Sequence, residues 1–185
     1  MGNQVEQGFF SPFLQRARIE AAKPYLVGRV LDIGCGNGQL AALVRPDRYV
    51  GVDRDREALG AARAAFPKYT FVETLPHEGD FDTVVALAVI EHLKCPRTEL
   101  EVWSSLLAES GKILVTTPHK SFRLVHELGS RAGLFSREAA DEHEEVFDRA
   151  SLTARAQEAG LRVEHYARFL TGANQLFVLA PRVQP

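Results

Sequence analysis

Cysteine is scarce in this chain. Cys35 lies inside a glycine-rich stretch and Cys95 directly precedes Pro96, too few and too scattered for a disulfide framework or a cysteine-based zinc site. A reducing, cytoplasmic compartment is the expectation. Excess charge of one sign is also missing: 22 Lys and Arg face 24 Asp and Glu, for a net charge of -2 and a pI near 6.3. No global field is therefore available to gather nucleic acid. Apolar runs such as residues 84–90 stop far short of the ~20 residues a membrane helix needs, so no span is expected. The first residues carry no basic stretch leading into an apolar one, which argues against a secretory signal, and Glu6 stands where a myristoylation pattern wants Ser or Thr. Repeats, low-complexity tracts and linkers are absent, so the 185 residues are expected to form one domain, 1–185. With 45% hydrophobic and 25% charged residues, composition indicates neither disorder nor a fibre.

What is present is alternation of strand-like and helix-like segments. Helix is expected over residues 9–26, 37–44, from the Asp55 cap to Pro67, 96–108 and 151–159. Strands are expected at 29–33, 49–52, 70–73, 81–87, 112–117, 162–169 and 175–179. The run at 81–87 lacks polar alternation, as in strands covered on both faces. This order predicts an α/β, Rossmann-like domain with a mainly parallel sheet and a closing antiparallel hairpin. Ligand in such sheets binds beyond the carboxyl ends of the strands, where strand order reverses.

That point carries the most informative residues. Val30-Leu31-Asp32-Ile33 runs into Gly34-Cys35-Gly36-Asn37-Gly38, and a second apolar run ends in Asp53, 19 residues after Gly34. Glycines at a strand end permit a tight turn and close approach of ligand to main chain. A dinucleotide fingerprint wants its third glycine where Gln39 stands, and the Gly-Lys-Ser/Thr ending of a phosphate loop is missing. The pattern is Gly-x-Gly-x-Gly, with an acid before it and another at the next strand tip.

In these two segments, residues 30–40 and 50–59, the chain resembles the class I S-adenosylmethionine-dependent methyltransferases. The resemblance implies a seven-stranded sheet with an antiparallel last strand, S-adenosyl-L-methionine as cofactor, and a small-molecule acceptor. It implies that Asp53 holds the ribose hydroxyls, that Asp32 faces the methionine ammonium, and that Gly34, Cys35, Gly36 and Gly38 present main chain to the ligand. Arg54, Glu73, Thr74, Leu75 and Ala88 complete the expected cofactor set. An acid commonly stands four residues before the Leu-Pro pair of such proteins, and Phe71 occupies that place here, so Glu73 is the local candidate for the adenine contact. Ile90-Glu91-His92-Leu93 resembles a segment of ubiquinone- and glycan-type methyltransferases. His92, His119 and His143 are the candidate catalytic residues, although acidic neighbours of His143 favour its protonated form. Residues 119–147 form a long connection, expected to be a substrate lid, and residues 1–27 an N-terminal helical cap.

The favoured activity is methyl transfer to oxygen of a small molecule or saccharide. Base amines are disfavoured, because Ala86-Leu87-Ala88-Val89 replaces the Asp/Asn-Pro-Pro-aromatic motif. A nucleic-acid partner is not expected, and no metal ligands are assigned. Two alternatives stand beside this. Metal-dependent methylation of a terminal RNA 2'-hydroxyl shares the Glu91-His92 segment, but Ala88 stands where that group has glutamate, and Lys120, Arg123, Arg131 and Arg137 would track its phosphates. The other is cofactor binding without catalysis. Nothing in the sequence sets an oligomeric state.

Overall fold

The computed structural model describes residues 10–120 and 147–182. Its apolar runs become β1 (Val30–Ile33), β2 (Tyr49–Val52), β3 (Thr70–Val72), β4 (Phe81–Leu87), β5 (Leu107–Pro118), β6 (Leu161–Phe169) and β7 (Asn174–Pro181). All seven share one sheet in the order β3-β2-β1-β4-β5-β7-β6. Pairing is parallel from β3 through β5, and β7 runs antiparallel to both β5 and β6. The expected Rossmann-like α/β fold is the one observed. The chain leaves β1 in one direction and returns to lay β4 on its other side, which opens a crevice at the strand tips.

Strand periodicity assigns the core. Val84 and Ala86 pack with Leu31, Ile33, Val115 and Phe177 on one face, whereas Val85, between them, packs with Val30, Leu114 and Val178 on the other. Each face is then covered. Helices α1 (Phe10–Ala22) and α2 (Arg56–Ala65) bury Ile19, Ala22, Leu59 and Ala62 on the second face. Helices α3 (Pro96–Ser105) and α4 (Arg149–Glu158) bury Leu100, Trp103, Leu152 and Ala156 on the first. Asp55 caps α2 by accepting from the Glu57 and Ala58 amides at 2.9 and 3.2 Å. Asp148 and Ser151 close a reciprocal capping box on α4, at 2.8 and 2.9 Å, and Gly160 leaves that helix with φ +74°, a conformation only glycine adopts without strain.

Several expected boundaries move. The segment expected as a helix at 37–44 is a 3-10 turn, Gln39–Leu43, entered from the left-handed Gly38; too few residues remain before Pro46 to build an α-helix. The first helix ends at Ala22 and tightens into a 3-10 turn, Lys23–Tyr25, around Pro24. The helix expected over 96–108 stops at Ser105, and β5 begins at Leu107. Phe81 pairs with Leu107 and Thr83 with Lys112, so residues 108–111 bulge out of the ladder. Gly111 lies inside this strand, where an added Cβ would stand 2.6 Å from the Phe81 carbonyl oxygen. His143 and most of the expected lid fall outside the described residues.

Candidate functional site

The glycine loop after β1 is shaped by its neighbours. Gly34, Gly36 and Gly38 have φ of +68°, +53° and +77°. A Cβ on Gly34 would stand 2.5 Å from Val89 Cγ2, and one on Gly38 2.7 Å from the Phe71 ring, but one on Gly36 would meet nothing within 4 Å. Gly34 and Gly38 therefore let β4's exit and β3 close on the loop, while Gly36 presents main chain to open space. The Gly34 and Cys35 amides both donate to the Val52 carbonyl, at 2.8 and 3.0 Å. Gly34→Ala should lower stability by about 2–4 kcal/mol, from left-handed strain of ~1–2 kcal/mol plus displacement of Val89; an unchanged denaturation midpoint would contradict this.

Asp53, at the tip of β2, ties the loop down. One carboxylate oxygen accepts from the Gly36 amide at 2.7 Å and the other from the Asp55 amide at 2.9 Å. Since Asp55 caps α2, one chain of bonds links loop, strand tip and helix.

Asp32 lies deeper, 3% exposed. The Tyr49 hydroxyl donates to its Oδ2 at 2.7 Å. Burial, with Asp53 adding to it and the tyrosine hydrogen bond opposing it, raises the Asp32 pKa to about 7. The same pair, again through burial first, pushes Tyr49 well above the ordinary phenol range. Cys35 is pushed up to about 12 by burial and by the two acids, so it stays a thiol and packs as an apolar residue.

Asp32, Gly34, Cys35, Leu87 and Ala88 line a cleft of about 420 Å³ together with Gln15, Arg18 and Ile19 of α1, within the ~300–1,000 Å³ of small-molecule sites. Ala88 holds φ +58°, a conformation disfavoured for a residue with a Cβ. Gln15 and Arg18 were not anticipated as site residues. The available signal was their spacing with Ile19 and Ala22, which at i, i+3, i+4 and i+7 puts all four on the face that meets the sheet. Arg18 donates to Asn174 of β7 at 3.2 Å, and Gln15 reaches Asn37 at 3.4 Å.

Other expected residues are more dispersed. Glu73 is exposed and ion-paired with Arg56 at 3.0 Å, so an adenine contact would compete with that pair. Arg54 and Thr74 are exposed, and Leu75 packs at the core edge. His92 sits in the 3-10 turn Ile90–His92 at the exit of β4, ahead of α3, whose first turn is preceded by Cys95. The preceding Glu91 is 4% exposed, and burial raises its pKa against the pull of its own backbone hydrogen bond, Arg18 and His92. His119 follows β5, with Nδ1 3.2 Å from the Arg168 guanidinium. Burial first, then Arg168 and Lys120, lower its pKa, with Asp148 opposing. Lys120 is paired with Asp148; the other three expected lid cations lie outside the described residues. Among the described residues, no three His, Cys, Asp or Glu side chains gather as a metal site, and no helix is long and apolar enough to cross a membrane.

The sheet order, the glycine loop over the switch point and the acid at the β2 tip define a class I S-adenosylmethionine-dependent methyltransferase. Comparison with known proteins agrees: residues 6–166 match the family model described as methyltransferase domain, and the chain belongs to that family. It is 30% identical over 107 residues to a ubiquinone biosynthesis O-methyltransferase of Aromatoleum aromaticum, covering 51% of this chain and 46% of that protein. An uncharacterised methyltransferase of Mycobacterium bovis is 35% identical over 111 residues, covering 55% and 56%. The chain thus spans about half the length of the curated relatives it matches. The solved magnesium protoporphyrin IX methyltransferase of Synechocystis, with bound S-adenosylhomocysteine, superposes with a TM-score of 0.71 at 19% identity, covering 98% of this chain and 89% of that one. S-adenosylmethionine is the methyl donor of this class. The residues fit it: the cleft has the volume, Gly36 has no Cβ in the way, and carboxylates stand at the floor and at the β2 tip.

Proposed function

We propose that this domain transfers a methyl group from S-adenosylmethionine to an oxygen of a small-molecule acceptor, in the cytosol. The observation that carries the cofactor half is Asp53 tied to the Gly36 amide beside a cleft with a buried acid. When bound, the cofactor supplies a methyl group activated by its sulfonium. Asp53 still has lone pairs for the ribose hydroxyls, since each of its oxygens accepts one amide. Asp32 takes the ammonium, and Arg18, from the facing helix, is placed for the carboxylate. The glycine loop offers main chain to the rest of the ligand, and the strained Ala88 bounds the methyl end.

The chain's remaining work is alignment of the acceptor and care of its proton. His92 supports the role of base by its place at the β4 exit. His119 supports a different one. With Arg168 donating toward Nδ1, its neutral ring carries the proton on Nε2 and acts as a hydrogen-bond donor to the acceptor oxygen. Residues 119–147 are proposed to close over the acceptor, and 1–27 to cap the cofactor side. Oxygen is favoured over nitrogen by the name of the Aromatoleum relative and by the sequence after β4. A cytosolic setting is supported by two cysteines that remain unpaired.

The test is release of S-adenosylhomocysteine on a panel of hydroxylated aromatics, saccharides, amines and RNA ending in a 2'-hydroxyl, with and without magnesium or manganese. Turnover on hydroxylated small molecules that is indifferent to metal is expected. Metal-stimulated methylation of the RNA would replace this proposal with the RNA reading, and tight cofactor binding with no turnover on any acceptor would replace it with a binding module.

A further inference from the structure

We propose that Tyr49 is a positioning residue of the cofactor site, its phenol holding the Asp32 carboxylate by a hydrogen bond and aiming it into the cleft. This rests on the reading that Asp32 meets the cofactor's ammonium. Strand register explains why the phenol can reach. Val30 pairs with Tyr49 and Asp32 with Gly51, so these four residues share one face of the sheet. Gly51, opposite Asp32, contributes no side chain, and the Phe71 ring and the Cys35 sulfur close over it, 2.7 and 3.0 Å from where a Cβ would stand. The ring is fixed by edge contacts with Tyr69 and Phe71, at centroid distances of 5.6 and 5.7 Å. Its hydroxyl then meets Asp32 Oδ2 at 2.7 Å. A buried tyrosine needs a partner for its O–H, and here that partner is a lining residue of the cleft.

The effect on charge follows from the surroundings. Burial opposes ionisation of Asp32 most strongly, Asp53 adds to it, and the Tyr49 hydrogen bond is the opposing influence. Cys35 from the loop is held as a thiol, Arg63 of α2 acts on Cys35, and Tyr69 stands behind Tyr49. Arg18 of α1 shares the cleft wall and is bonded to Asn174. Among the described residues, Tyr49 alone gives the Asp32 side chain a side-chain hydrogen bond. Loss of the phenol hydroxyl should therefore leave the acid protonated at neutral pH.

The experiment follows Asp32 directly, by carbon-13 NMR of its carboxyl in the cofactor-free protein, and S-adenosylhomocysteine affinity by calorimetry from pH 6 to 9. In Tyr49→Phe the Asp32 titration midpoint should rise by about 1–2 units, as expected for a lost hydrogen bond to a charged group. Affinity at pH 7 should fall roughly 5–50-fold relative to wild type, and the ratio should shrink as pH rises. The cofactor amine titrates identically in both proteins and cancels from that ratio. An unmoved Asp32 midpoint would overturn the proposal and leave Tyr49 a packing residue. If Asp32→Asn binds S-adenosylhomocysteine as wild type does, the reading of Asp32 fails instead. Should Tyr49→Phe not fold, fluorotyrosine at position 49 keeps the ring and the hydroxyl and makes it a stronger donor: the Asp32 midpoint should fall, and an unmoved midpoint would overturn the proposal.

Discussion

Asp53→Ala is expected to weaken S-adenosylhomocysteine binding by at least two orders of magnitude in calorimetry. A carboxylate accepting from two ribose hydroxyls makes two charge-assisted hydrogen bonds, each worth about 1.5–3 kcal/mol. Together they amount to about 3–6 kcal/mol, or roughly 10²- to 10⁴-fold in affinity. The substitution has a second consequence that a simple ligand contact would not have. It also releases the Gly36 and Asp55 amides, held at 2.7 and 2.9 Å, and so loosens the glycine loop and the start of α2. Asp53→Asn separates the two effects. A neutral amide still offers one oxygen to the Gly36 or Asp55 amide but cannot accept at both ends. Its stability should lie between those of wild type and Asp53→Ala while affinity stays low. Wild-type affinity in Asp53→Ala would remove the ribose assignment. Equal loss of stability in both variants would show the acid to be a loop tie alone.

How far the fold could be read before any coordinates depended on the range of the interaction. Strands β1, β2 and β4 were legible because runs covered on both faces are apolar without alternation, and because Gly and Pro mark their ends. The Asp55 cap was legible because it acts within three residues. Local signals did not reveal that residues 108–111 bulge beside Phe81, since that depends on which carbonyl lies across the sheet. The same limit applies to the site. The loop glycines and Asp53 announce themselves by spacing. For Arg18 and Gln15 spacing shows only that they share a helix face with Ile19 and Ala22; that this face borders the cleft depends on how α1 docks over β4 and β5. Tyr49 is hidden for a related reason: its bond to Asp32 spans 17 residues and exists only in the observed β1–β2 register. Glu73 was found by elimination among nearby acids, and elimination could not show its pairing with Arg56.

Asp32→Asn should make the cofactor-free protein more stable above neutral pH while sharply reducing its affinity for cofactor. Asp32 titrates at about 7 in the folded chain instead of 3.8, chiefly through burial. A folded-state pKa above the unfolded one means that the folded protein binds the proton more tightly. The acid is therefore well tolerated below pH 4, becomes progressively unfavourable as pH rises toward 7, and stays so beyond. At 1.36 kcal/mol per unit the full difference is on the order of 4 kcal/mol, available because the group is almost wholly buried. Asparagine has no charge to bury, and its carbonyl can still accept from Tyr49. Denaturation curves of the two proteins should nearly coincide at pH 4 and separate steadily up to pH 7, with the asparagine variant the more stable. A gap that is constant with pH, or that widens toward acid, would contradict burial as the cause. Binding should move the other way, since the amide cannot neutralise an ammonium. A carboxylate kept in a place where it weakens the empty fold, next to a loop that accepts no side chain at Gly34 or Gly38, is the arrangement expected when a cation arriving with the ligand completes the site.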